Sequence, residues 1–158
     1  MLKKIFVIMG IFLLLFCGCS KENKFGLEQF VHRLNSQYEY TLNTADFILG
    51  KNENDNTLFC ETTNNLIFVS LNDKNNIIGV GLLSTSPDEI ENTLLSFCKI
   101  SSVLTGNDYI DQYAILTKCE ISVDKIKFAD NSFVATIGKY KYTVVCNEYS
   151  VTLFCDKI

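Results

Sequence analysis

The chain has 158 residues, 14 Lys and Arg against 18 Asp and Glu, a formal net charge of −4 and 47% hydrophobic residues. That length is one domain's worth, enough for a core without metals or disulfides. The acidic balance and the absence of any run of Lys or Arg predict neither nucleic-acid binding, which draws on clustered cations at phosphates, nor a polybasic membrane patch.

The N-terminus reads Met1-Leu2-Lys3-Lys4 and then runs uncharged over residues 5–16, a basic n-region and an apolar h-region of the kind used for export. The apolar run is too short to span a bilayer, which needs about 20 residues, and Lys21, Glu22 and Lys24 follow almost at once. Next comes Phe16-Cys17-Gly18-Cys19. This tetrad resembles the lipobox of bacterial lipoproteins, with small Gly18 before the modified cysteine and Phe16 where that class usually has leucine. Cleavage before Cys17 would put bulky Phe16 beside the scissile bond, so Cys19 is the expected site. The resemblance covers only residues 1–20. It implies a signal peptide over 1–18, removed in the mature chain, and a diacylglycerol thioether on Cys19, with palmitate among the expected acyl chains. Two such chains make detachment negligible at about 0.8 kcal/mol per buried methylene. Heavy use of Asn, Lys and Ile, with one Pro and no Trp, points to an AT-rich genome and a low-GC Gram-positive host.

Residues 19–24 form the lipidated cysteine and a short polar tether, and residues 25–158 the extracytoplasmic domain. Leu27, Phe30, Val31 and Leu34 recur at i, i+3, i+4 and i+7, one face of an amphipathic helix. Residues 38–49 read as extended, and 50–56 as a polar loop. Strands are expected over 57–61, 66–71 and 77–83, the last two joined by a tight turn at Asn72-Asp73-Lys74-Asn75. At Ser86-Pro87-Asp88-Glu89, Ser86 is placed to cap a helix, Pro87 to take its first position and Glu89 to complete a capping box. That helix carries Ile90, Leu94, Phe97, Cys98 and Leu104 and stops at Gly106. Asn107 then caps a short helix carrying Ile110, Tyr113 and Leu116. The rest is expected to be strand: 121–128, 133–137, 140–146 and 151–155, split by turns at Asp130-Asn131, Gly138-Lys139 and 147–150.

Helix then strands, followed by helices then strands, indicates an α+β fold, an antiparallel sheet with helices on one face and two tandem helix-plus-strands units. The layout is similar to that of the β-lactamase inhibitory protein and to TATA-binding-protein-like folds, an architectural likeness that does not fix function.

Few residues carry chemistry. The single His, His32, falls about 140° round its helix from Leu27, away from the apolar stripe, and so points to solvent rather than into a cleft. With one His there is no His-rich zinc site, and no nucleotide, EF-hand or hydrolase motif occurs. Asn52-Glu53-Asn54-Asp55-Asn56 offers oxygens but lacks EF-hand spacing, and Asp88, Glu89 and Glu91 are accounted for by the first turn of a helix. Cys60, Cys98, Cys119, Cys146 and Cys155 remain after processing, an odd number without a CxxC. In the last hairpin Cys146 faces Val151, leaving Cys155 about 13 Å from it at ~3.3 Å per residue. A disulfide needs Cα atoms within about 7 Å. Tyr142, Val144, Cys146, Val151, Leu153 and Cys155 share one face, so these thiols read as small core residues. A Cys98 to Cys119 bridge and a Cys98 nucleophile served by His32 are the competing readings.

The sequence thus predicts a membrane-anchored extracytoplasmic lipoprotein, a non-catalytic binding module for a protein, peptide or cell-wall partner through a sheet face or its loops. No cofactor, metal or nucleic acid is expected. The alternatives are a small-ligand carrier and an enzyme using carboxylates or a cysteine.

Overall fold

The structure is a computed structural model and describes residues 24–50, 56–63, 65–86, 89–127 and 132–158. The signal segment, Cys19, residues 51–55, Pro87, Asp88 and the Asp130-Asn131 turn lie outside these. In chain order the described elements are α1 (Leu27–Tyr38), a 3₁₀ turn at Thr44–Asp46, β1 (Ile48–Leu49), β2 (Thr57–Glu61), β3 (Asn65–Leu71), β4 (Ile77–Ser84), α2 (Ile90–Thr105), α3 (Tyr109–Lys118), α4 (Val123–Lys127), β5 (Ser132–Ile137), β6 (Tyr140–Cys146) and β7 (Val151–Lys157).

The strands form one seven-stranded antiparallel sheet in the order β1-β2-β3-β4-β7-β6-β5. Two meanders, each preceded by helix, therefore meet at their last strands. Alternate residues of the central strands turn to one side, where Ile67, Val69, Val80, Leu82, Tyr142, Val144, Leu153 and Cys155 are buried. Helix α2 lies over β4 and β7 with Leu94, Phe97, Cys98 and Ile100 fully enclosed, and α1, α3 and α4 pack against α2. The class is α+β, as the element order implied.

Short polar side chains make the hairpins. Asn72 Oδ1 accepts from the backbone N–H of Lys74 and Asn76 at 3.0 and 2.9 Å, closing the β3-β4 turn. Asn147 Oδ1 does the same for Tyr149 and Ser150 at 2.8 Å, and the resulting register pairs Cys146 with Val151 and Tyr142 with Cys155. Gly138, at φ +59°, turns β5 into β6.

Three expectations change. Residues 38–49 are not extended throughout: α1 runs on to Tyr38, and the only strand there is Ile48–Leu49. Asn35 explains why, since its side-chain amide donates to Leu42 O at 2.8 Å and accepts from Leu42 N–H at 3.1 Å, giving this backbone the two bonds a neighbouring strand would have supplied. Of the expected strand 121–128, the described residues 121–127 are not extended; Glu120 reverses the chain at φ +63° and α4 follows. The described part of helix α2 begins at Ile90, and Pro87 and Asp88, on which its expected start falls, lie outside the described residues. Asp108, not Asn107, caps α3, its carboxylate accepting from Ile110 N–H at 2.8 Å.

Candidate binding surfaces

The face of the sheet away from the helices is covered by none of the described helices. Register places Ile48, Phe59, Phe68, Gly81, Phe154, Thr143 and Val134 side by side in one row across all seven strands. Phe59 meets Phe68 edge to face at 5.4 Å between ring centroids, and Phe68 stacks on Phe154 at 5.6 Å. Those last two rings belong to strands on either side of β4 and close over Gly81. A Cβ at Gly81 would lie 2.8 Å from each ring and 2.9 Å from Leu153 O, so the glycine provides the space the ring pair occupies. The ends of the row are open, with Ile48 71% and Val134 61% exposed. Adjoining rows are mixed: Leu66, Leu83, Thr152 and exposed Val145 on one side, Ser70, Gly79, Asp156 and Lys141 on the other. Partial burial raises the Asp156 pKa, and nearby Lys141 lowers it by less.

A second feature lies on the helical side. A cleft of about 400 Å³ is lined by Phe25, Arg33, Leu104, Lys139, Tyr140 and Lys157 among others, with no Asp or Glu among the described residues of its wall. The Arg33 guanidinium sits 5.0 Å over the Phe25 ring, and Lys139 Nζ 5.6 Å from the Tyr140 ring centroid. The Tyr140 hydroxyl donates to Leu104 O at 3.2 Å, and Ile77 N–H donates to Phe25 O at 2.8 Å, so the aromatic walls are pinned to α2 and to the start of β4.

A polar cluster lies inside the core. Gln112, fully buried, donates through Nε2 to the Tyr142 hydroxyl at 2.7 Å and accepts through Oε1 from Thr105 and Asn107 at 3.3 and 3.4 Å. Burial raises the Tyr142 pKa, the Gln112 bond opposing it. Each polar group of Gln112 thus has a partner, which makes the cluster a packing device.

The residues singled out by sequence are scattered. His32 is exposed on α1, while Cys98 is enclosed on α2, so no His and thiol pair is assembled. All five cysteines of the domain are free thiols, and all but Cys119 are buried. Burial pushes the Cys98 and Cys155 thiols up to about 12 and raises those of Cys60 and Cys146, which keeps them protonated and weakly nucleophilic at neutral pH. No group of three or more His, Cys, Asp or Glu among the described residues is placed to hold a metal ion. No described helix is long and apolar enough to cross a membrane.

No protein-family model, curated protein or solved structure matches the chain. Its own geometry is therefore what bears on function.

Sequence reasoning expected a binding sheet face or loops but named no residues of the open-face row, and it missed the cleft. The open-face row left a trace in Leu58-Phe59-Cys60, Ile67-Phe68-Val69 and Leu153-Phe154-Cys155, where an aromatic residue sits between two core residues so that both faces are apolar. Gly79-Val80-Gly81 marks where the other strands' side chains close over β4. The cleft left none, because Arg33, Lys139 and Lys157 are far apart in sequence; the expectation of no basic cluster holds along the chain but not in space.

Proposed function

We propose that this chain is a bacterial lipoprotein, anchored through a lipid on Cys19 to the outer face of the membrane, whose domain binds a protein partner through the open face of its sheet without doing chemistry. The observation that carries the reading is the aromatic row. Phe59, Phe68 and Phe154 form a preordered apolar strip, buried at Phe68 and half-buried at Phe59 and Phe154, with exposed Ile48, Val134 and Val145 about it, and an ordered apolar centre with a polar surround is what a protein interface core offers. The enclosed, protonated thiols and solvent-facing His32 support a binding role over catalysis. A protein is favoured over a glycan because Phe68 is sandwiched between its neighbours and presents little ring face.

The test is capture from the chain's own envelope extract, followed by rebinding of the purified captured protein to the parent and to a Val134→Lys, Val145→Lys variant. Both valines are exposed, so the variant keeps its fold. Affinity should fall at least about fivefold, the scale of a residue that matters at an interface. Equal affinity, or no partner alongside turnover of a substrate panel, overturns the reading. Intact mass of the membrane-extracted protein checks the diacylglycerol on Cys19.

A further inference from the structure

We propose that the cleft formed by Arg33, Lys139 and Lys157 seats the phosphate headgroups of anionic phospholipids, so that the domain rests on the membrane by this end; the inference builds on the lipid anchor proposed above.

Three observations meet here. The first is charge. In a chain of net charge −4, three cations line one cleft with no Asp or Glu among the described residues of its wall, and two of them lie over aromatic rings that fix where they point. The carboxyl end of α2 also reaches the cleft and favours cations by its dipole. Two carbonyls there are already engaged, however, Ser102 O by Gly106 N–H at 2.8 Å and Leu104 O by the Tyr140 hydroxyl.

The second is position. Phe25 is part of the cleft wall, and its carbonyl is fixed to Ile77 N–H. Six residue steps separate Cys19 from Phe25, a reach of at most about 21 Å when fully extended. A lipid on Cys19 therefore holds the Phe25 edge of the cleft within about 21 Å of the bilayer, whatever the rest of the domain does.

The third is chemistry. Guanidinium and ammonium groups beside Tyr140 and Phe25 match a surface of phosphodiesters over apolar chains, with cations at the phosphates and rings at the interfacial level. A freely diffusing phosphate would not require the cleft to adjoin the tether.

The test uses the chain from residue 19 onward, which contains every described element, with Cys19→Ser to remove the lipid attachment. Sedimentation with vesicles of phosphatidylglycerol and phosphatidylcholine should exceed that with phosphatidylcholine alone and fall as NaCl is raised. Each of Arg33→Gln, Lys139→Gln and Lys157→Gln should lower partition about fivefold and the triple variant about a hundredfold, the effect of one surface cation on an anionic bilayer taken once and three times. A control variant, Lys99→Gln, Lys118→Gln, Lys141→Gln, loses the same net charge outside the cleft and should keep most of its partition. Equal partition of parent and cleft variants overturns the proposal, as does equal loss in the control or displacement by inorganic phosphate at matched ionic strength. Lys157→Gln alone, at an exposed site, keeps the experiment decisive if the triple variant does not fold. A lipidated Cys19 without charge-dependent partition removes the cleft's role and leaves the anchor. An unmodified Cys19 removes the anchor, and with it the reason for a membrane at the cleft.

Discussion

Two residues show how closely this core and sheet are fitted. Gly81 leaves room for two rings, and the nearest obstacles to a methyl group include the Leu153 carbonyl, a backbone atom that cannot swing aside. Gly81→Ala should therefore destabilise the domain by about 1–3 kcal/mol, the usual cost of overpacking, read as a lower urea midpoint with unchanged slope. Tyr142 poses the opposite problem. Tyr142→Phe removes the acceptor of a buried amide N–H and should cost about 1–3 kcal/mol. Gln112→Leu in the same chain should give part of that back, since the buried amide donor is then gone, while exposed Asn107 can turn to water and Thr105 keeps its bond to Ser102 O. A double-mutant cycle measures the coupling, and simple additivity would contradict the hydrogen bond's role. Gln112 also shows what a pattern search overlooks: Ile110 looked like the inward residue of α3, yet it is 64% exposed while Gln112 is buried. Its amide goes inward because Tyr142, thirty positions away, meets it there.

At the scale of elements, those whose ends were set by strong local chemistry were legible in sequence. The β6-β7 hairpin has the register that Asn147 and the alternation of Tyr142, Val144 and Cys146 imply. Helix α1 buries Phe30, Val31 and Leu34 as their spacing requires. The stretch Ile121-Ser122-Val123-Asp124-Lys125-Ile126 was misread because its apolar residues fit a strand and a short helix equally well. What decides is the Glu120 reversal, together with the bond from Ile121 N–H to Leu116 O at 3.0 Å that ties the segment to the end of α3. Neither is visible in a pattern of hydrophobicity. Asp108 offers a direct check on element boundaries. Asp108→Ala should cost about 1 kcal/mol and increase amide exchange in the first turn of α3, whereas Asn107→Ala should leave that turn intact. Equal fraying in both would mean that the cap has been misplaced.

Across the whole molecule, the thiols report on global opening. Cys60, Cys98, Cys146 and Cys155 are distributed from β2 to β7 around one core, while Cys119 is only half-buried. In the native state a thiol reagent should label Cys119 first and the other four together at the rate of unfolding, as followed by mass spectrometry; early labelling of Cys98 would show that α2 opens locally. The raised pKa values also set a pH dependence. The unfolded chain releases thiol protons near 9.0 whereas Cys98 and Cys155 hold theirs up to about 12. Above pH 9.0 the folded state binds more protons than the unfolded one, so this contribution to stability is intact below that value and is lost progressively as pH rises toward about 12. Denaturant midpoints across alkaline pH should fall, and Cys98→Ala should flatten the decline.

The central pairing of β4 with β7 has a bearing on how such a chain is made. Residues 77–84 pair with residues 151–157, so the middle of the sheet waits for the strand that is synthesised after all the other described elements. While the ribosome is still making β5 and β6, β4 lacks one of its two neighbours and α2 has no complete floor to pack on. Under the export proposed above, which requires an unfolded polypeptide, this order of assembly delays closure of the sheet until β7 has been made.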